Sequence, residues 1–210
     1  MEMMRLLKIL LKLLLASFVF FLFFIVTNFV TNMVVRKTKR IDYMELTNYC
    51  RKHGLSERYA ITVDFRIPSG RHRFFVCDLK KEEIVASSLC SHGIGKGSTH
   101  TKPVFSNEVG SLCSSLGHYK IMGRHKMSTS GLMSFRLKGL DATNSRAMER
   151  GILIHSAKIV SLCRWGIFPF YLPLNKRISS GCFTVDIDMM DIIDSLVKEE
   201  QRPILLVAKE

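Results

Sequence analysis

The run YAITVDFRIPSGRHRFFVCDLKKEEIVASSLC, Tyr59 to Cys90, decides the fold class. It holds three short stretches rich in β-branched and aromatic residues: Tyr59 to Ile67, Arg73 to Leu79 and Ile84 to Cys90. They are separated by Pro68-Ser69-Gly70 and by Lys80-Lys81-Glu82-Glu83. Runs of that length and composition between turn-forming and charged clusters predict consecutive antiparallel strands. The glycine-bearing stretch that follows, His92 to His100, predicts a surface loop.

Further strands are expected at His118 to Met122, Met133 to Leu140, Ile152 to Ile154 with His155 at its end, Cys182 to Val185, and Ile204 to Ala208. Helices are fewer. Asp42 with Glu45 three residues on reads as a capping box opening a helix that stops at Gly54. A short helix is expected near Asn144 to Arg150. The last helix is placed with Asp188 as cap, Asp191 in its first turn, and Ile192, Ile193, Leu196 and Val197 at helical spacing. The expectation is a mainly β domain with a few helices, an α+β class. It is divided as an anchor with basic linker over 1–40, a linker helix over 41–58, and a folded domain over 59–210.

Upstream, Leu13 to Val35 carries no charged residue and is long enough to cross a bilayer as a helix. Arg5, Lys8 and Lys12 precede it, and Arg36, Lys37, Lys39 and Arg40 follow, so charge counting sets no orientation. A signal peptide is the alternative to an anchor. The absence of a small-residue cleavage pattern over Thr27 to Val35 favours the anchor. The whole chain has 31 Lys+Arg against 18 Asp+Glu, a formal net charge of +13 over 210 residues. Such a balance suits anionic lipid, an acidic wall polymer or nucleic acid; the last is disfavoured because no surface interleaves aromatic and basic residues.

The six cysteines, Cys50, Cys77, Cys90, Cys113, Cys163 and Cys182, form no Cys-x-x-Cys pair and no zinc-like spacing with histidine, so no metal site is expected. Most read as small buried apolar groups, with one or two disulfides open among the first five. Gly93, Gly95 and Gly97 lack the helix and Lys-Ser/Thr register of a phosphate loop.

Chemistry concentrates in RISSGCF, Arg177 to Phe183. A tight turn there exposes the Cys182 thiol. Gly181 admits positive φ and close backbone approach, and the N–H groups of Gly181 and Cys182 are candidates for an oxyanion site. A thiol becomes a thiolate at neutral pH when a neighbour lowers its pKa, and His155, ending the strand GILIHSA, is the candidate neighbour. The alternative is a buried structural thiol and a hydrogen-bonded core histidine. The remaining histidines read as surface or loop residues.

The runs FSNEVGSLCSSLGHYKIMG (105–123) and SFRLKGLDATNSRAMERGILIHSA (134–157), then SSGC (179–182), resemble in that order the murein L,D-transpeptidase catalytic domain family. The resemblance spans roughly Tyr59 to Ala208. It implies an L,D-transpeptidase-like β-sandwich catalytic domain and a cysteine nucleophile acting on peptidoglycan stem peptides, with no cofactor. Cys182 matches the nucleophile, His155 the base, and Ser179 and Gly181 the Ser-x-Gly-Cys turn. Substrate contacts are expected from Arg136, Arg177, Ser180 and Ser115, and Arg150 also falls on a family-like position. The chain departs from the family in having Ile178 where an Arg is common four residues before the cysteine. Ser180 stands where a Trp is common, and Phe183 replaces a following Pro. The insert from Lys158 to Lys176, with Cys163, Trp165 and the FPFYLP run, reads as a lid or as core cover.

The resulting expectation is a single-pass enzyme of the cytoplasmic membrane, its domain on the periplasmic or outer side. It would form a thioester through Cys182, release D-Ala and transfer the acyl group to an amine. A hydrolase using the same site and a non-catalytic wall-binding module are the alternatives.

Overall fold

The structure is a computed structural model and describes residues 2–127, 133–163 and 178–210. Helix α1 (Glu2–Thr38) is followed by α2 (Tyr43–Lys52), then β1 (Tyr59–Asp64), β2 (Phe74–Asp78) and β3 (Glu83–Ser88). Next come β4 (Gly117–Lys126), β5 (Met133–Gly139), a 3₁₀ turn (Ala142–Asn144), β6 (Leu153–Ser156), α3 (Lys158–Cys163), β7 (Phe183–Val185), α4 (Ile187–Glu199) and β8 (Leu205–Lys209). Each strand expected from sequence is present, within a few residues at its ends. Trp165, the FPFYLP run and Arg177 lie outside the described residues.

All eight strands join one sheet in the order β3-β2-β1-β8-β4-β5-β6-β7. The pairs β1–β8 and β6–β7 are parallel and the others antiparallel. Seven inter-strand steps of about 4.8 Å would hold β3 and β7 roughly 34 Å apart in a flat sheet. Instead the chain leaving β3 returns to β7: Ser91 bridges Thr184, its N–H donating to the Thr184 carbonyl at 2.8 Å. Tyr119 on β4 and Phe183 on β7 meet with ring centroids 5.4 Å apart. The sheet therefore curls over on itself, which places two layers around one core.

Alternation along β1 divides its residues between two clusters. Tyr59, Ile61 and Val63 enter the main core with Phe74, Tyr119, Phe135, Phe183 and the Met189, Met190, Ile193 and Leu196 face of α4. Ala60 points to the other side, where Phe75, Cys77, Leu205 and Val207 receive Leu46, Cys50 and Leu55 from α2 and its end. This explains why β1 is buried at every position. It also shows that α2, expected as a linker helix, is packed on the sheet.

Asp42 caps α2 as expected, its Oδ1 accepting the Glu45 N–H at 2.8 Å. The cap of α4 is a correction: Asp186, not Asp188, has the extended backbone and accepts the Met189 N–H at 2.9 Å. β7 ends at Val185 and leaves no loop, so the first acid after the strand must cap. Asp188 instead sits in the first turn, where a carboxylate complements the helix dipole.

Helix α1 runs unbroken through the expected basic linker to Thr38 and is long and apolar enough to cross a membrane. Its large apolar side chains stay exposed from Met3 to Phe23, consistent with a lipid-facing segment.

Phe135, fully buried in the main core, is the simplest test of this packing. Phe135→Ala is expected to cost about 3–5 kcal/mol, read as a lowered urea midpoint with unchanged slope.

Candidate active site

The turn before β7 is held by its own side chains. Ser179 Oγ accepts the Gly181 N–H at 3.2 Å and donates to the Cys182 carbonyl at 2.7 Å. Gly181 has φ +117°, and a Cβ there would stand 2.6 Å from the Cys113 carbonyl and 3.0 Å from Ile152 Cδ1. Any other residue would meet both backbone strain and collision. Ser114 ties the turn to the glycine loop: its Oγ donates to the Gly181 carbonyl at 3.1 Å and accepts the Gly93 N–H at 3.0 Å. Gly93 is required by the same crowding, a Cβ falling 2.1 Å from the Leu112 carbonyl.

These bonds correct the expected oxyanion pair. The Gly181 N–H is committed to Ser179, which leaves the Cys182 N–H as the member of that pair with no hydrogen bond among the described residues. Ser179 thus shapes the turn.

Cys182 is half-buried, the other five cysteines are buried, and all six are free thiols. Its Sγ donates weakly to the Gly151 carbonyl at 3.8 Å. Burial pushes the thiol above its ordinary value of 9.0, while a bond from the Leu153 backbone and the nearby Arg150 charge act in the opposite sense. His155 is not among the groups that act on it.

The register explains this. β6 and β7 pair in parallel with His155 opposite Thr184, so the imidazole faces the Thr184 hydroxyl. His155 Nε2 lies 3.2 Å from Thr184 Oγ1, and Nδ1 lies 3.1 Å from the Ser156 carbonyl. A carbonyl only accepts, so Nδ1 carries the proton and Nε2 keeps the basic lone pair. Burial lowers the imidazole below 6.5, making it neutral at pH 7. Cys182 precedes Thr184 by two residues, about 7 Å along an extended chain. The two groups occupy neighbouring positions but share no hydrogen bond.

Arg150 is the residue whose part the sequence left undeveloped. Half-buried, it donates through Nη1 to the Ser106 carbonyl at 2.8 Å and to Ser115 Oγ, and through Nη2 to the Cys113 carbonyl. No carboxylate pairs with it among the described residues. Its Nη2 lies 3.3 Å from where a Gly181 Cβ would be. This is a positive charge set beneath the cysteine turn and oriented by neutral acceptors. Its signal in the sequence was its place immediately before the GILIHSA strand.

The substrate set divides. Arg136 is exposed on β5 opposite Leu153 and lines a cleft of about 380 Å³ with His125, Met127, Met148, Gly151, Ile152 and Leu153. Two of these lining residues, Gly151 and Leu153, have backbone groups that touch the Cys182 sulfur. Ser115 is buried, donating to the Ser106 carbonyl at 2.9 Å and accepting from Arg150. It faces inward, a correction to its expected place against substrate, because Arg150 needs that acceptor. Ser180 is half-buried at the turn. Arg177 lies outside the described residues.

His92, expected on the surface, is buried. The buried Arg73 guanidinium donates to its Nδ1 at 2.8 Å, so Nε2–H donates to the Thr99 carbonyl at 3.0 Å. Burial, reinforced by the Arg73 charge, brings its pKa down to about 4. It anchors both ends of the loop from His92 to Thr99. Among the described residues no three His, Cys, Asp or Glu side chains group to hold a metal ion.

Cys182 is expected to be the first of the six thiols alkylated by iodoacetamide. Arg150→Met should slow that reaction at pH 7.5 by about threefold or more, since it removes the charge that favours the thiolate against burial. Arg150→Lys should lie between the two.

Comparison with known proteins follows this geometry. A family model described as the L,D-transpeptidase catalytic domain matches residues 32–205. Similar solved structures include an L,D-transpeptidase from Mycobacterium smegmatis (12% identity, 73% of this chain and 59% of that one, TM-score 0.41). Another is the helical cell shape determining protein Pgp2 from Campylobacter jejuni (12%, 73% and 48%, TM-score 0.45). A third is an L,D-transpeptidase from Mycobacterium tuberculosis H37Rv (15%, 73% and 58%, TM-score 0.33). The chain spans about half to three-fifths of the length of these proteins. No curated protein matches. With the family model covering more than four-fifths of the sequence, the chain belongs to the L,D-transpeptidase catalytic domain family.

Proposed function

We propose that this protein is a membrane-anchored peptidoglycan transpeptidase in which Cys182 is the nucleophile and His155 the base. The observation that carries the reading is a half-buried free thiol in contact with the Gly151 backbone, which lines a cleft bearing the exposed Arg136 guanidinium, in a chain of this family. The domain would lie on the outer side of the cytoplasmic membrane, within reach of the wall polymer.

The thiol attacks the carbonyl of the diamino acid that precedes D-Ala in a stem peptide. The S–C bond forms, the C–N bond to D-Ala breaks, and the thiol proton passes through His155 Nε2 to the departing amine. An amine of a second stem then attacks the thioester. Its proton goes to Nε2, the S–C bond breaks and the thiol is restored. Contacts of this kind tighten on substrate binding, which accommodates the spacing of His155 and Cys182 in the free protein. The neutral thiol makes a base necessary, and the neutral imidazole supplies one. Arg136 offers two parallel N–H donors to a substrate carboxylate, and the Cys182 N–H faces the developing oxyanion.

Full-length protein in detergent, incubated with a tetrapeptide muropeptide, is expected to release D-Ala and yield cross-linked dimer by mass spectrometry, and Cys182→Ala to yield neither. Tripeptide without dimer would assign a hydrolase, and D-Ala release unchanged in Cys182→Ala would remove the thiol from the reaction. Arg136→Ala should lower kcat/KM about tenfold or more, the worth of a charged hydrogen bond.

The pH profile follows from the two shifts. The base works when unprotonated and its pKa is lowered, so activity should fall on acidification with a midpoint below 6.5. The raised thiol pKa puts thiolate formation above 9.0. A plateau through neutral pH is expected in kcat/KM, and an acid limb centred above 6.5 would contradict the assignment of His155 as the base.

A further inference from the structure

The outer face of the sheet carries a row of cations that begins at the cleft and runs away from it. Along β5, Leu137 is buried in the main core while Arg136 and Lys138 on either side of it are exposed, so both lie on the face opposite that core. Along β4, Tyr119 and Ile121 enter the same core, which puts the half-buried Lys120 between them on the outer face. Register sets Lys120 directly opposite Lys138. Like charges so placed are destabilising, and among the described residues no carboxylate pairs with Lys120, Lys138 or Arg136. On the core side of β4, by contrast, Arg124 is paired with Asp194. Asp141, just past the end of β5, already accepts the His118 N–H at 2.7 Å and faces its Nδ1 at 2.8 Å.

Register also joins this row to the thiol. In the parallel pair of β6 and β7, Ile154 stands opposite Phe183, which brings Leu153 level with Cys182. Leu153 in turn stands opposite Arg136. Two inter-strand steps of about 4.8 Å, roughly 10 Å in all, therefore separate Cys182 from Arg136. Lys138 lies two residues, about 7 Å, farther along β5, and Lys120 lies one strand beyond it. Ile121 pairs with Leu137 and Arg124 with Phe135, so Met122 and Gly123 together oppose Arg136 in a bulge, and the guanidinium has no single cross-strand partner.

A stem peptide with its scissile carbonyl at Cys182 fits the spacing. The residue that precedes the diamino acid in such a peptide is acidic and is joined through its side-chain carboxyl, so its α-carboxylate stays free. From Cys182 to Lys138 the path over the sheet is about 12 Å, and two extended residues cover about 7 Å of it. The four-carbon lysine stem covers the rest. The cleft lined by Arg136, Gly151 and Leu153 lies on this side of the thiol.

We propose that Lys120 and Lys138 form a subsite for the free carboxylate of the stem residue that precedes the diamino acid. The protein then selects stems in which this group is a carboxylate over stems in which it is an amide. Arg136, nearer the thiol, is left to the substrate carboxylate already assigned to it. The opposed lysines are unfavourable in the free protein and become favourable when an anion lies between them. The anion belongs to the peptide because the row opens into the cleft where the acyl group must lie. The inference rests on the stem-peptide reading of that cleft and adds to it a selection that the thiol chemistry does not require.

The test reads binding and not turnover. Full-length protein carrying Cys182→Ala, in detergent, is titrated calorimetrically with two synthetic tetrapeptides that differ only in whether the α-carboxyl of the γ-linked D-Glu is free or a primary amide. The free acid is expected to bind about fivefold more tightly, the upper range for one exposed ion pair. Lys120→Gln or Lys138→Gln alone should reduce that preference, and the double variant should abolish it. Lys138→Arg should retain it, and Arg136→Gln should weaken both peptides alike while keeping it. The thermal midpoint of the double variant should hold or rise, because opposed like charges are removed. A lowered midpoint with both peptides lost would make the lysines structural and overturn the proposal. An undiminished preference in the double variant would overturn the subsite and leave the stem-peptide reading standing. Failure of both peptides to bind the Cys182→Ala protein would overturn that reading and the subsite with it. Tighter binding of a glycerol-phosphate polymer than of either peptide, lost in the double variant, would assign the lysines to a phosphate polymer and overturn the proposal.

Discussion

Closure of the curled sheet is the constraint on which the rest depends. β7 has three residues, pairs in parallel with β6, and is gripped on its other side by the Ser91 bridge returning from β3. A strand so short has little cohesion of its own and is stabilised by what flanks it. Phe183 and Val185 supply apolar burial, and the Thr184 hydroxyl, with one proton to give, stands within hydrogen-bond reach of the Ile178 carbonyl and of His155 Nε2. Because Cys182 opens this strand, the position of the sulfur is set by the closure and by the glycines that allow three backbones to meet beneath it. Ser114 links two of those backbones, and Arg150 holds the third through the Cys113 carbonyl.

The electrostatics of the site follow from burial. Desolvation disfavours charge on both the Cys182 thiol and the His155 imidazole. Against that background stands Arg150, whose hydrogen bonds go to two carbonyls and two hydroxyls, so its charge is not neutralised and acts on the cysteine turn. Arg73 is the counterpart farther back. It is fully buried, with its pKa lowered to about 10 by desolvation, donates to the Cys90 and Ile67 carbonyls, and fixes the tautomer of His92. Each guanidinium organises a loop: the half-buried Arg150 the segment from Ser106 to Ser115, the buried Arg73 the glycine loop.

Helix α1 and the β domain pack together where they meet. Asparagines in a membrane helix are costly unless paired, and Asn28 and Asn32 find partners in Arg71 and His72, two residues of the turn between β1 and β2. That turn thus has a second task besides joining strands.

Local chemistry was enough for the elements. The β-branched runs separated by Pro68-Ser69-Gly70 and Lys80 to Glu83, the Asp42 cap and the apolar run after Lys12 each state their structure within a few residues, because strand, cap and span preferences arise from near neighbours. The resemblance of the runs around Ser114, Arg150, His155 and Cys182 likewise lay in the order of residues. What the chain alone left open was which atoms meet. That His155 faces Thr184 and not the thiol, that Ser115 turns inward to Arg150, that the Gly181 N–H is taken by Ser179, and that His92 is buried under Arg73 all depend on strand register and sheet curvature. Those are set by pairings between residues tens of positions apart, whose energies are shared across the whole core and leave no trace in any one short stretch.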